Sequence, residues 1–213
     1  MDKDSQAGEP REPRGPSDGP DVPYAIIAMA ASAGGLMALT EVLAALPGDL
    51  PVPVVVVQHL DPRHRSLMAE ILDRRTALQV REAQEGDDLR AGTVYIAPPD
   101  HHLLVNGDGT LSLSQSKLVH FVRPSADLLF ESMAASYGDR AIAVVLTGSG
   151  KDGSLGVEGV RKMGGTVIAQ DVESAQFGGM PTAAIETGCV DFVLPLDEIA
   201  SALITLVTGG KVS

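Results

Sequence analysis

Three side chains able to form a hydrolytic relay follow three apolar runs. Ser32 follows Ala25–Ala30 (AIIAMA), His59 follows Pro53–Gln58 (PVVVVQ), and Asp152 lies in the Gly-rich stretch after Ala141–Leu146. A serine hydroxyl is a weak nucleophile until a base takes its proton, and that base is most often a histidine oriented by a carboxylate. Small neighbours of Ser32, namely Ala31, Ala33, Gly34 and Gly35, would let a substrate carbonyl come close. The free N–H groups of the turn that follows, at Ala33 and Gly34, could hold an oxyanion at a helix start. A plainer reading is that Ser32 only caps that helix. The G-x-S-x-G nucleophile elbow is absent, because position 30 is alanine.

Other constellations compete. His59, Asp61 and His64 could suggest a metal, but their spacing fits neither a helical i, i+4 pair nor a zinc ribbon. No metal is expected. Gly148-Ser-Gly150-Lys-Asp-Gly153 matches G-x-G-x-x-G between a strand and a helix, and Asp171 stands at the end of the next strand. That is the pattern of a dinucleotide loop with its ribose carboxylate. Against it, the motif falls on a late strand, and Asp152 would set a carboxylate in the phosphate-binding turn. A Walker A loop fails because Asp152 follows Lys151 where Ser or Thr is required. His101, His102 and His120 read as structural or surface residues.

Such residues need a scaffold that brings them together. From Tyr24 onward, short β-rich runs alternate with amphipathic stretches. Strands are expected over 25–30, 53–58, 93–97, 141–146, 166–169 and 190–194. Helices are expected over 36–46, 66–75, 125–137 (with Ser125 as cap), from the Gly-rich loop to about 163, over 181–186 and over 196–207. Asn106-Gly107-Asp108-Gly109 between two apolar triplets signals a hairpin. The alternation predicts an α/β domain over 23–209: a doubly wound, mostly parallel, Rossmann-like sheet with an inserted antiparallel hairpin. In that architecture reacting groups gather at the carboxyl ends of the strands, where Ser32, His59 and Asp152 fall. The uncharged run 23–40 is interrupted by Ser32, Gly34 and Gly35 and reads as a buried strand entering a helix, not a membrane span.

Composition narrows the partners. The formal net charge of −12 repels phosphate backbones, which argues against nucleic acid and against a basic membrane-surface patch. A single cysteine, Cys189, excludes an internal disulfide framework and suits the cytoplasm. Residues 1–22 are rich in Pro, Gly and charge, with no apolar core of a signal peptide, and are expected to be a disordered tail.

Six segments, in order, resemble the catalytic domain of the chemotaxis protein-glutamate methylesterases of the CheB type. They are Ala-Ser-Ala-Gly-Gly (31–35), Gln-His (58–59), Tyr-Ile-Ala-Pro-Pro-Asp-His-His-Leu (95–103), Arg-Pro-Ser-Ala-Asp (123–127), Leu-Thr-Gly-Ser-Gly-Lys-Asp-Gly (146–153) and Phe-Gly-Gly-Met-Pro-Thr-Ala-Ala-Ile (177–185). The resemblance implies that Ser32 is the nucleophile, His59 the general base and Asp152 the group that orients it. It also implies an oxyanion site from backbone near Ala33, Gly34, Ser149 and Gly150; Phe177–Met180 is the candidate for a nearby mobile rim. It implies a chemoreceptor as protein substrate, demethylation of glutamate with deamidation of glutamine as a second activity of the family, and no cofactor. Two departures stand out: Ala33 replaces a common Thr, and Ser149 a common Met. The family usually carries a receiver domain ahead of the catalytic one, and here only the Pro-rich tail precedes it, so a stand-alone catalytic domain is expected. Two other classes remain open from the residues alone: a dinucleotide-binding protein and a catalytically silent interaction module. Deleting residues 1–20 is expected to leave the melting temperature and the rate unchanged, as a thermal melt and an activity assay of the truncated chain would show.

Overall fold

The computed structural model describes residues 23–59 and 66–212. The tail expected over 1–22, and Asp61 and His64 of the metal reading, lie outside the described residues. Seven strands form one parallel sheet in the order β3-β4-β2-β1-β7-β8-β9. They are β1 (Ile26–Ala31), β2 (Val54–Gln58), β3 (Gln79–Glu82), β4 (Thr93–Ile96), β7 (Ala141–Val145), β8 (Thr166–Gln170) and β9 (Phe192–Leu194). The remaining pair, β5 (His102–Val105) and β6 (Leu111–Ser114), is the expected antiparallel hairpin. Among the described residues, six α-helices cover the sheet: α1 (Gly35–Ala44), α2 (Met68–Asp73), α3 (Ala126–Tyr137), α4 (Ser154–Lys162), α5 (Gly179–Glu186) and α6 (Leu196–Val207).

Burial on both faces explains the apolar runs, because successive residues of a strand point to opposite sides. Ile27, Met29 and Ala31 of β1 join Val54 and Val56 in a core beneath α1, α2 and α6. Ile26, Ala28 and Ala30 join Val55, Val57 and the alanines of β7 in a second core beneath α3, α4, α5 and the hairpin. The span 23–40 is thus strand, turn and helix. No helix among the described residues is long and apolar enough to cross a membrane.

The chain leaves β1 toward β2 on one side, and β7 continues toward β8 and β9 on the other. The boundary between β1 and β7 is therefore the switch point, where ligands collect in such sheets. Some boundaries differ from expectation. β3 has no counterpart in the expected strands, since of its four residues only Val80 is buried and an edge strand needs no apolar run. Helix α5 begins at Gly179, two residues earlier than expected, because Pro181 sits in the first turn, where a missing N–H costs nothing. Helix α2 is shorter at both ends, and β9 begins at Phe192.

Helices α3 and α4 meet through a glycine. A Cβ at Gly156 would lie 2.7 Å from Phe130 Cβ and 3.0 Å from both Cα and O of Asp127. The backbone of α3 cannot give way as a flexible side chain would. Gly156→Ala is expected to force the helices apart at a cost of ~1–3 kcal/mol, readable as a lowered midpoint in thermal or urea unfolding.

Candidate active site

Ala31 and Gln58 are register partners at the ends of β1 and β2. Ser32 and His59 follow them directly on adjacent strands, which lie ~4.8 Å apart. The His59 amide continues the pairing to the Ala31 carbonyl at 3.2 Å. On the other side, the Ser32 amide donates to the Thr147 carbonyl at 3.0 Å, tying β1 to the loop after β7. A Cβ on Gly148 would meet Ser32 Cβ at 2.9 Å, so the loop backbone comes this close to Ser32 only as glycine.

The expected pair of His59 and Asp152 is formed. Nε2 of His59 lies 2.8 Å from Asp152 Oδ2. With its proton on Nε2, facing the carboxylate, His59 keeps the lone pair on Nδ1 for base chemistry. Among the described residues no hydrogen bond joins Ser32 to His59, and the serine hydroxyl stands free. Such contacts are often open without substrate.

Asp152 is only 4% exposed. Its Oδ1 accepts from Ser125 Oγ at 2.9 Å and from the Asp127 amide at 3.2 Å, and Oδ2 also accepts from the Ala126 amide at 2.6 Å. Burial by itself would raise the pKa of this carboxyl. The hydrogen bonds from His59, Ala126 and Ser125, with the attraction of His59, outweigh it and hold Asp152 below the usual carboxylate range. Two of these donors, the amides of Ala126 and Asp127, are the first of α3, so an acid from another loop fills that helix N-terminus. Ser125 does occupy the N-cap position, but its hydroxyl caps nothing in α3; it donates to Asp152 instead.

The exchange is reciprocal. Asp127 Oδ1, in the first turn of α3, accepts from the amides of Gly153 (2.9 Å) and Gly156 (2.8 Å) at the start of α4. Burial pushes the Asp127 carboxyl up, the Gly156 amide opposes it, and the charge of Asp152 adds to the rise. Its other oxygen is buried with no hydrogen bond and lies 3.4 Å from Nε2 of His120. The N-terminus of α4, which a dinucleotide pyrophosphate would need, is thus already filled by a carboxylate. Asp171 is spent on its own turn, with Oδ1 accepting the Ser174 amide at 2.7 Å.

Gln58 braces the segments that carry Ser32 and His59. Its Nε2 donates to the carbonyls of Ser32 (2.7 Å) and His59 (3.0 Å). A Cβ at Gly35 would lie 1.9 Å from Gln58 Oε1, so this brace needs glycine at the start of α1. The cap of α1 is Gly34, in the left-handed region, and no side chain caps the helix; Ser32 does not. Among the described residues, the amides of Ala33, Gly34, Ser149 and Gly150 carry no hydrogen bond. They are free to receive an oxyanion. Phe177, expected on a mobile rim, is bonded through both backbone groups: its amide to Thr147 Oγ1 (2.9 Å) and its carbonyl to the Gly148 amide (2.8 Å). Among the described residues no group of three His, Cys, Asp or Glu side chains is arranged to hold a metal.

Ser125, Asp127, Gln58 and Thr147 hold this site; the sequence marked Ser125 as a helix cap, and the other three only as members of the segments that resemble the methylesterases. Two quoted segments, Tyr95–Leu103 and Arg123–Asp127, received no role in the site there. Ser125–Asp127 of the second supply donors to Asp152, and Arg123 clasps Asp100 of the first together with the carbonyls of Gln115 and Ser116.

Comparison with known proteins gives a consistent result. A model of the family described as CheB methylesterase matches residues 27–203. The chain is 43% identical over 188 residues to a protein-glutamate methylesterase/protein-glutamine glutaminase of Moorella thermoacetica, covering 86% of this chain and 44% of that one. It is 42% identical over 184 residues to the protein-glutamate methylesterase FrzG of Myxococcus xanthus, covering 86% of this chain and 55% of that one. The chain thus spans about half the length of these relatives. A relative from Leptospira interrogans, 39% identical, is covered over 95% of its length. The crystal structure of the Thermotoga maritima CheB methylesterase catalytic domain superposes with a TM-score of 0.83 at 41% identity, covering 86% of this chain and 99% of that one.

Asp127 separates packing from charge. Asp127→Ala leaves the Gly153 and Gly156 amides buried without an acceptor and is expected to cost ~1–3 kcal/mol per amide. Asp127→Asn keeps an acceptor and removes a buried charge. An acid whose folded pKa is raised destabilises the fold above that value, and the penalty fades as pH falls through it. The stability of Asp127→Asn relative to the parent is therefore expected to be greater at pH 7 than at pH 4, in thermal melts at both.

Proposed function

The chain belongs to the CheB methylesterase family, and from that premise we propose that it is a serine hydrolase cleaving methyl esters of glutamate side chains on a methyl-accepting chemoreceptor. The observation that carries the reading is the 2.8 Å bond between His59 Nε2 and Asp152 Oδ2 on the strand end beside Ser32. His59 Nδ1 takes the proton of Ser32, and Oγ attacks the γ-carbonyl of the ester. The negative charge that forms on the carbonyl oxygen is received by amides among Ala33, Gly34, Ser149 and Gly150. His59 returns the proton to the departing methoxide, and methanol leaves. Water, deprotonated by His59, then attacks the acyl-serine and releases glutamate with Ser32 restored. Replacing methanol by ammonia gives deamidation of glutamine on the same route, the second activity in the name of the Moorella relative.

Asp152 stays ionised because its donors hold its pKa down, so it can keep the His59 proton on Nε2 and support the imidazolium that forms. The chemistry calls for no metal or organic cofactor. Ala33 and Ser149, the two departures from the family pattern, contribute through backbone amides, so their side chains need not silence the site. The single free cysteine, Cys189, is in keeping with action in the cytoplasm.

Methanol release from methylated receptor tests this reading. Ser32→Ala is expected to lose nearly all release with an unchanged melting temperature, and His59→Ala to lose about as much. Asp152→Asn is expected to fall by ~10⁴-fold, through the wrong tautomer of His59. Wild-type release from Ser32→Ala would overturn the assignment of the nucleophile.

A further inference from the structure

His102 has no part in the reaction above, yet it is completely buried. A buried histidine must satisfy two ring nitrogens, and here they play opposite roles. Nε2 donates to the Lys117 carbonyl at 3.1 Å, and Nδ1 accepts the Ser125 amide at 3.1 Å. Only the neutral ring with its proton on Nε2 makes both bonds. Burial holds the ring below the usual histidine range; the Arg123 charge adds to that, and the Lys117 carbonyl and Asp152 oppose it.

Ser125 is the hinge of the carboxylate bed. Its backbone is extended, with φ −114°, so no helical bond holds its amide. Its acceptor is His102 Nδ1. From there the hydroxyl of Ser125 and the next two amides, of Ala126 and Asp127, reach Asp152. Among the described residues, every donor to Asp152 other than His59 thus comes from three consecutive residues, the first of which is fastened by His102. The segment 115–117, which precedes them in the chain, is held by Arg123 and by the His102 bond to Lys117.

We propose that His102 is a positioning residue for the catalytic carboxylate, acting through Ser125 to fix Asp152 and hence the ring of His59. This rests on the reading of Ser32, His59 and Asp152 as the reacting set. His102 touches no substrate in this role. Its work is geometric: removing the acceptor at Nδ1 orphans a buried amide and loosens the donors that aim Asp152.

Two polar replacements separate the two nitrogens. In His102→Asn, Oδ1 falls near the place of Nδ1 and keeps the Ser125 bond. In His102→Gln, the amide nitrogen falls near the place of Nε2 and keeps the Lys117 bond only. The experiment measures melting temperature, kcat and KM for methanol release, and the downfield proton resonance of His59 Nε2–H in protein labelled with ¹⁵N-histidine. His102→Gln is expected to lower kcat by roughly 10–100-fold, a loss of the size seen when outer supports of a site are removed. KM should be unchanged and the His59 resonance displaced. His102→Asn is expected to keep most of the rate and the parent resonance. Ser125→Ala should resemble His102→Gln, and the double variant should be no slower than the slower single one, because both act on one path.

Equal effects of Asn and Gln at equal melting temperature would overturn the proposal. So would multiplying effects in the double variant, or a loss of rate with the His59 resonance unmoved. Ser32→Ala serves as the control. If it releases methanol normally, the reacting set itself is wrong; if it is inactive while His102→Gln is unaffected, only the role of His102 is wrong.

Discussion

An ionised carboxylate that is almost wholly buried is intolerable unless donors surround it, and Asp152 shows what that demands of a fold. Its oxygens receive one bond from His59 and three from the start of α3. To supply the three, α3 must begin at Ser125 and aim its first turn at the loop after β7. To keep α3 there, α4 must pack beside it, and the contact admits only glycine at position 156. Asp127 then returns the favour at the start of α4. Two helix N-termini that would otherwise carry free amides are satisfied by each other's acids. The orientation of His59 is the chemical consequence of this exchange.

The Ser32 side is arranged by different means. Ser32 and His59 need only be the first residues beyond a paired register, which two parallel strands ending on the pair Ala31 and Gln58 provide. Close approach is then achieved by leaving side chains out. Gly35 makes room for Gln58, and Gly148 for Ser32 and Met180. Gln58 links the two loops through their carbonyls and leaves nearby amides unused. The result is a strand edge on which a tightly held His59–Asp152 pair stands beside amides that carry no hydrogen bond among the described residues.

The Gly-rich loop at 148–153 illustrates how one pattern can serve two chemistries. Glycines allow a tight turn from strand into helix whether the helix start holds a phosphate or a protein carboxylate. Here Asp127 occupies the amides of Gly153 and Gly156, and Asp152 is turned inward toward α3. A pyrophosphate would meet two carboxylates where it needs free donors. That electrostatic fact, more than the position of the loop on a late strand, separates this loop from the dinucleotide-binding loops found in the same architecture.

Much of this was readable from the chain alone, because it depends on local or periodic signals. Continuous apolar runs mark strands buried on both faces, Asn106–Gly109 marks the hairpin, and the six recurring segments mark Ser32, His59 and Asp152. Strand β3 was not readable, since an edge strand with one buried residue carries no periodic signal. Nor were the roles of Ser125, Asp127 and His102, which in sequence look like a helix cap, a first-turn acid and one of two adjacent histidines. Each acts on a partner 23–29 residues away, and such a pairing leaves no trace in local pattern. Only the packing of α3 against α4 and the hairpin decided that a serine at an N-cap would serve a distant acid, and that a buried histidine would hold that serine. The sequence determined which groups could react; the tertiary structure determined which of their nitrogens and oxygens face one another, because burial leaves each polar atom few partners to choose from.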